Sequence, residues 1–364
     1  MKIFGSSKSI LGLDIGSHAI KLVEVKHAKG GGVITYAQSM PIPHREMDEP
    51  VSQEAIREAL QALVRQSKTR GRRVITAVPS ALDAQVTMRS IFIPDLPADT
   101  PKSALQMNVR AEFEAQDYIA YNDEAEIDCH VENQVTHNGT HGLDVFVVAV
   151  HRDLIAERVQ LLRECGLVPI AIDVDFLALA RLIIATGQLS ETDNIAILDI
   201  GSTKTSVGFY QQGKLHLYPH VPIAGNYLTS QLAQHLGVNW EEAETYKHSR
   251  DWESAADARN PEEAAAWGVL KDCLDRGLYQ QLYGHFDAYI RESPEFKPSK
   301  VIVSGGTAQL PPLKNFFSSW LTMPVDVLHY FDRIPVDSGG EVAALQMNEQ
   351  LFSTAVGLAL KSTL

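Results

Sequence analysis

The chain is poor in cysteine, in basic residues and in long hydrophobic runs, and each shortage removes a class of function. Cys129, Cys165 and Cys273 are the only cysteines, odd in number and far apart. They form no CxxC metal spacing and no disulfide framework, which points to a reducing compartment. Lys and Arg total 32 against 45 Asp and Glu, for a net charge of −13. That balance argues against a broad surface for nucleic acid or for an anionic membrane. The longest apolar runs, such as 145–150 and 177–180, fall well short of the ~20 residues that span a bilayer. No long apolar stretch precedes Asp14, so no secretory leader is expected. A cytoplasmic chain is expected, with membrane association made only through partners and no nucleic-acid partner. Two nucleotide signatures are also missing. No GxGxxG follows the first strand, and no GxxxxGKS/T loop occurs.

What is present is an ordinary globular balance, 45% hydrophobic and 21% charged over 364 residues. That length suits two domains or one large two-lobed unit with a sizeable core. The chain also repeats itself. Ser9–Val25 reads SILGLDIGSHAIKLVEV, and Asn194–Tyr210 reads NIAILDIGSTKTSVGFY. In each, an apolar strand ends in Asp-Ile-Gly-Ser and a second strand follows.

The rest of each half follows one script of strands, then helix and strand, an internal duplication of architecture. In the first half, strands are expected at Ile10–Ile15, Lys21–Val25 and Val33–Ser39, with a hairpin turn at 30–32. A helix spans Ser52–Gln66 on the stripe Ala55, Ile56, Ala59, Leu60 and Leu63, and a strand follows at Val74–Val78. Phe92–Pro101, with three prolines, reads as a constrained loop. Lys102–Asp117 is a helix striped by Leu105, Val109 and Phe113. Strands at Asp128–Val135 and Val145–Val150 flank a loop holding His137 and His141. Asn138-Gly139 makes that loop a hairpin turn rather than a metal site. Arg152–Cys165 is a helix stopped by Gly166, followed by strand Ile170–Ile172 and helix Phe176–Ala185. In the second half, Tyr227–Leu236 and most of Trp240–Tyr289 are helical. Lys300–Val303 is a strand, and helices are expected at Leu313–Trp320 and Glu341–Leu360. The basic run Lys68-Thr-Arg-Gly-Arg-Arg73 is either a solvated turn or a patch that docks a partner.

The two Asp-Ile-Gly-Ser turns suggest a chemistry. Gly16 lets backbone approach a ligand closely. Ser17 and neighbouring N–H groups can form an anion nest. Asp14 and Asp199, at strand ends, would repel a phosphate unless Mg²⁺ lay between, usually through water. Lys21 can reach a β- or γ-phosphate. Two such hairpins facing each other would grip a triphosphate from both sides. A third element, Ser304-Gly-Gly-Thr-Ala308 after an apolar strand, permits flat approach of an adenine and ribose.

These three motifs, in this order across essentially the whole chain, resemble the phosphate-1, phosphate-2 and adenosine motifs of the actin/Hsp70/sugar-kinase superfamily. The resemblance implies that Asp14, Gly16, Ser17 and Lys21 form the first phosphate hairpin, and Asp199, Gly201, Ser202, Thr203 and Thr205 the second. Gly305, Gly306 and Thr307 would form the nucleoside loop. Gly225 and Asn226 resemble the next loop, with Ala224 where a first glycine is usual. Glu244 and Lys247 resemble the helix flanking the base. The implied cofactors are ATP and Mg²⁺, with Asp14 and Asp199 on the metal side. A superfamily ATPase also orients a water. Of Asp173 and Asp175, Asp175 matches that position better, although it equally suits an N-cap for the helix at Phe176. Its short reach implies firm ATP binding with slow or undetectable turnover.

The segment between Val78 and His151 sets the branch. The stretches AEFEAQDYIAY, with Ala120 and Tyr121 in its last two places, and GLVPIAIDVDFLALAR are similar to the PilM family of bacterial type IV pilus assembly. The FtsA cell-division proteins are a more distant cousin. The resemblance implies an α/β, actin-like two-lobed ATPase fold of duplicated ribonuclease H-like domains with an inserted small α/β subdomain of the FtsA/SHS2 type. The first core lobe would be 1–78 and 151–190, and the insert 79–150. The second lobe would be 191–225 and 300–350, the helical subdomain 226–299 and the closing helix 351–364. It also implies a partner, the short N-terminal cytoplasmic peptide of the membrane protein PilN, in a groove between first lobe and insert. Arg89, Arg110, Phe113 and Tyr118 are candidate contacts, although Phe113 equally fits the core of its helix. Other pilus inner-membrane and motor proteins, and self-association, complete the implied partners. Three alternatives stand beside this. An FtsA-like filament tether should end in a separate basic amphipathic helix, whereas Val356–Lys361 reads as the core's own closing helix. A small-molecule kinase needs a catalytic base that no residue obviously supplies. A type II secretion counterpart should continue into a transmembrane helix.

Overall fold

The computed structural model describes residues 9–28, 31–43, 51–80, 85–116, 118–119, 122–190, 192–248, 260–310, 313, 317 and 323–361. The chain forms two compact units. One comprises 1–77 with 165–364, and the other is Val78–Glu164.

The larger unit begins with β1 (Ser9–Ile15), β2 (Ala19–Ala28) and β3 (Gly31–Pro41), an antiparallel meander. α1 (Gln53–Gln66) follows, and Ser52 Oγ caps it by accepting from Ala55 N–H at 3.1 Å. β4 (Arg73–Val78) then pairs parallel with β1. After the smaller unit the chain resumes with β8 (Val168–Val174) and α4 (Asp175–Ala185). The second half repeats the meander as β9 (Asn194–Ile200), β10 (Thr205–Gln211) and β11 (Lys214–Val221), then α5 (Gly225–Leu236) and α6 (Trp240–His248). α7 (Pro261–Asp272) runs through a π-helical turn at Cys273–Tyr279 into α8 (Gln280–Glu292). β12 (Lys300–Ser304) and β13 (Val325–Val327) complete a five-stranded sheet of order β11-β10-β9-β12-β13.

β14 (Val336–Glu341) then crosses back and pairs with β3, so the first sheet reads β14-β3-β2-β1-β4-β8. α9 (Ala343–Met347) and α10 (Ser353–Ala359) close the unit. The helix expected over 341–360 is broken instead into α9, a 3₁₀ turn at Glu349–Phe352 and α10, because the Glu349 carboxylate turns inward. It accepts from the backbone N–H groups of Tyr330 at 2.5 Å and Phe331 at 3.1 Å. The helix expected at Leu313–Trp320, the turn residue Gly30, and Ala120 with Tyr121 lie largely outside the described residues.

The central strands read as unbroken apolar runs because both of their faces are covered. Along β9, Ala196, Leu198 and Ile200 join the core beneath α5–α8, while Ile195 and Ile197 face the opposite core with α4 and α10. α10 lies against β1 and α4 with no room for side chains at the contact. A Cβ at Gly357 would come 1.9 Å from Ala178 O, and one at Gly12 2.1 Å from Ala355 O.

In the smaller unit, β5 (Val86–Pro94), β6 (Ala125–His137) and β7 (Thr140–His151) form an antiparallel sheet of order β5-β7-β6. Phe92–Pro94, expected in a loop, belongs to β5 and pairs with Asp144–Gly142, with Pro94 at the strand's end. The β6–β7 turn is Asn138-Gly139 with φ of 52° and 86°. α2 (Lys102–Ala115) buries Leu105, Val109 and Phe113 against this sheet. α3 (Arg152–Glu164) ends the unit.

Candidate phosphate-clamp cleft

The two Asp-Ile-Gly-Ser turns adopt one geometry. In β1–β2, Asp14 pairs with Lys21 and Ile15 with Ile20, and Gly16 N–H donates to Ala19 O at 3.2 Å. In β9–β10, Asp199 pairs with Ser206 and Ile200 with Thr205, and Gly201 N–H donates to Lys204 O at 3.0 Å. The register makes Ser206 the counterpart of Lys21, and Thr205 that of Ile20. Successive strand residues point to opposite faces. Thr205 is accordingly buried like Ile20, and its hydroxyl donates to Ile223 O at 2.7 Å. Its expected place among the ligand-facing residues is corrected on that ground, and Ser206 lines the cleft instead.

The hairpin tips meet, with Ser17 Oγ and Thr203 Oγ1 3.2 Å apart. Around them opens a cleft of about 600 Å³. The expected residues Asp14, Gly16, Ser17, Lys21, Asp175, Asp199, Gly201, Ser202, Thr203, Gly225, Asn226, Glu244, Lys247, Gly305, Gly306 and Thr307 all line it. So do several that sequence reasoning missed: His18, Lys204, His248 and Gln309, with Asn348, Gln350 and Thr354 from the returning C-terminal segment.

Charge is arranged in opposed pairs. Lys21 Nζ lies 2.7 Å from Asp14 Oδ2, and Lys204 Nζ 3.9 Å from Asp175 Oδ2. Asp175 opens α4 and its Oδ1 accepts from Phe176 N–H at 2.6 Å. Asp173, two residues earlier, is buried between Arg181 at 2.8 Å and Lys361 at 2.9 Å. Burial pushes its carboxyl up, but those two cations outweigh it and hold it below the usual range. Asp199 is the opposite case. Burial, then the negative charges of Asp175 and Asp14, push its carboxyl up to about 7, and Lys204 and Lys21 offset this only in part.

The third wall rests on the second hairpin. Gly305 has φ +93°, and a Cβ there would lie 2.3 Å from Ile200 O and 2.8 Å from Asp199 Oδ1. Gly201 O accepts from Thr307 Oγ1 at 2.7 Å and from Gly225 N–H at 3.1 Å. Asn226 N–H reaches Ser202 O at 2.6 Å. The Gly305–Thr307 loop and the start of α5 are thereby tied to one carbonyl. Gln309 Nε2, a buried donor with no hydrogen-bond partner among the described residues, sits in this wall.

On α6, Lys247 is buried and donates to Glu244 Oε2 at 2.7 Å, Thr229 Oγ1 at 2.7 Å and Gly225 O at 3.2 Å. Burial raises the Glu244 carboxyl. The His248 hydrogen bond and the Lys247 charge outweigh that and hold it far below the usual carboxylate range. Burial lowers the Lys247 ammonium despite Glu244.

The residues fit a nucleoside polyphosphate. Three ammonium groups, two glycine turns and an orphaned amide donor surround one cleft. Among the described residues, no three His, Cys, Asp or Glu side chains are grouped closely enough to cage a metal alone. The carboxylates fit Mg²⁺ held through water and phosphate oxygens, as this ion prefers.

Of the candidate partner residues, Phe113 is fully buried in its own unit, so its expected surface role is corrected. Arg89 lies over the Tyr118 ring at 3.9 Å, and Arg110 donates to Ala125 O at 3.0 Å.

Paired hairpins on two duplicated sheets, closed by a glycine loop, define an actin-like nucleotide-binding fold. The chain belongs to the family of the type IV pilus assembly protein PilM, which matches residues 12–363. Its backbone is similar to that of a solved PilM-PilN type IV pilus biogenesis complex, with TM-score 0.76 and 23% identity over 97% of this chain and 98% of that one. It is similar to EutJ of Carboxydothermus hydrogenoformans, with TM-score 0.52 and 17% identity over 98% and 90%. MreB5 of Spiroplasma citri bound to ADP gives TM-score 0.50 and 12% identity over 97% and 95%. The cell division protein FtsA of Staphylococcus epidermidis is 25% identical over 106 residues, 29% of this chain. That stretch is only 22% of FtsA's own length. No helix among the described residues is long and apolar enough to cross a membrane.

Proposed function

We propose that this chain is an ATP-binding scaffold of type IV pilus assembly. It docks the N-terminal cytoplasmic peptide of a PilN-type membrane protein and links it to the motor at the cytoplasmic face of the inner membrane. The observation that carries the nucleotide half is the matched pair of hairpins, each offering a glycine turn, a carboxylate and an ammonium to one cleft. In this reading Lys21 and Lys204 pair with phosphate oxygens. The turn residues Ser17, Ser202 and Thr203 donate to them, and Gly305–Thr307 carries the nucleoside. Mg²⁺ supplies charge neutralisation beside Asp14 and Asp199. Asp175 orients a water only when it leaves Lys204, which keeps turnover slow or absent. Support for the docking half is family membership together with the solved complex, in which a PilM binds a PilN. Arg89, Arg110 and Tyr118 are the proposed peptide contacts, on an inserted subdomain of the FtsA type at 79–150.

The test is isothermal titration with Mg·ATP, then with a synthetic peptide of the N-terminus of a neighbouring PilN-type protein. Heat from both, with the peptide's heat lost in Arg89→Glu, is the expected result. Nucleotide binding without peptide binding overturns the scaffold reading and leaves the fold's kinase or filament functions open.

A further inference from the structure

Between Glu58 and Asp83 the chain carries no acidic residue but five cations, Arg65, Lys68, Arg70, Arg72 and Arg73. For a chain of net charge −13 this is a local reversal of sign. The α1–β4 turn that displays it is tightly built. Thr69 is buried, its N–H donates to Val64 O at 3.2 Å, and its hydroxyl meets Ser67 Oγ at 2.8 Å. Gly71 N–H donates to Gly166 O at 2.7 Å, and Val168 N–H to Arg72 O at 3.0 Å, which fastens the turn to the start of β8. The Arg70 stem lies against Gly166, where a Cβ would approach its Cγ to 3.1 Å.

Arg72 is spoken for by Glu24, 2.5 Å away. Arg65, Lys68, Arg70 and Arg73 are exposed, and among the described residues none of the four side chains has an ion-pair or hydrogen-bond partner. Next to them Val168 stands 45% exposed, an apolar residue on the edge of the basic patch. A solvated turn needs neither a rigid anchor nor an apolar neighbour.

We propose that this turn, with Val168, is a docking site for a short acidic protein segment bearing an apolar side chain. Charge complementarity selects the occupant. A membrane or a nucleic-acid duplex is an extended anion, and its field acts on the whole acidic chain, which repels it. A short peptide meets only the patch, inside a screening length of about 8–10 Å. The site is separate from the nucleotide cleft, and the proposal stands whether or not that cleft binds ATP.

The test is fluorescence anisotropy of the full chain with labelled hexaglutamate ending in leucine, at low and physiological salt. Hexaglutamine-leucine, a duplex oligonucleotide and phosphatidylglycerol vesicles are the comparisons. The expected result is binding of the glutamate peptide alone, weakened by salt. It should weaken about tenfold or more in Lys68→Glu/Arg70→Glu/Arg73→Glu and several-fold in Val168→Ser. These side chains make no internal bonds, so unchanged circular dichroism and melting are expected of the variants. Equal binding by the triple variant, or binding of the glutamine peptide as tightly, overturns the site. Patch-dependent binding to the vesicles or oligonucleotide overturns the choice of occupant.

Discussion

Replacing Gly305 by alanine tests the packing of the Gly305–Thr307 loop on the second hairpin. Two costs follow from the geometry. The residue sits at φ 93° and ψ 161°, a region essentially closed to side chains, for roughly 1–3 kcal/mol. The added Cβ would also stand 2.3 Å from Ile200 O. Backbone lies on the far side of that contact, so relief requires moving the hairpin, for about another 1–3 kcal/mol. The sum is about 4 kcal/mol, or roughly 10 °C of melting temperature for a unit of this size. Gly284→Ala is the control. Gly284 lies inside α8 with open space where the Cβ would go, so the same chemical change should stabilise by up to ~1 kcal/mol. Thermal unfolding of the two variants beside the parent reads both signs. If Gly305→Ala melts within a degree or two of the parent, the loop is not held against the hairpin as described.

Two further predictions rest on buried charge. The Asp199 carboxyl is raised from 3.8 to about 7, so the folded chain binds more protons than the unfolded chain between those values. Stability therefore falls as pH rises through that window, and it is lowest above about pH 7. Asp199→Asn should be more stable than the parent there, with the gap closing toward about pH 4. Parallel curves of melting temperature against pH, without nucleotide, would falsify this. Lys247→Met strands the Glu244 carboxylate among its remaining donors and should cost about 3 kcal/mol in chemical denaturation, with Glu244→Gln in the same chain restoring much of the loss. A single variant as stable as the parent would remove the network from the account.

The parts of the fold legible in the sequence were those with a local signal. The meanders announce themselves because apolar strands end in a repeated polar turn. α1 and α2 show because their stripes face one core each, and the Asn138-Gly139 turn because only such residues take its left-handed angles. The C-terminal return was illegible for a physical reason. β14 reads Val-Asp-Ser-Gly-Gly-Glu and has no apolar alternation, since it hangs on an edge of the first sheet by irregular pairing. Its cleft residues Asn348, Gln350 and Thr354 were therefore invisible too. Within the site, aligning the two turns residue for residue would have moved Thr205 inward and Ser206 outward, because Ile20 already marks the buried position. Lys204 was overlooked because the first hairpin has alanine there. Asp199's neighbour Asp175 was found only through resemblance, since no local pattern links the start of α4 to the end of β9.

In the proposed function, two equivalent hairpins clamp a chain of phosphates. The most direct measurement is calorimetric titration with ATP, ADP, AMP and adenosine in turn, each with Mg²⁺. With a two-sided clamp, affinity rises steeply from AMP to ADP and ATP, and Lys21→Met and Lys204→Met both flatten the rise while leaving adenosine unaffected. Equal affinity for adenosine and ATP, or a rise that neither lysine influences, would contradict it.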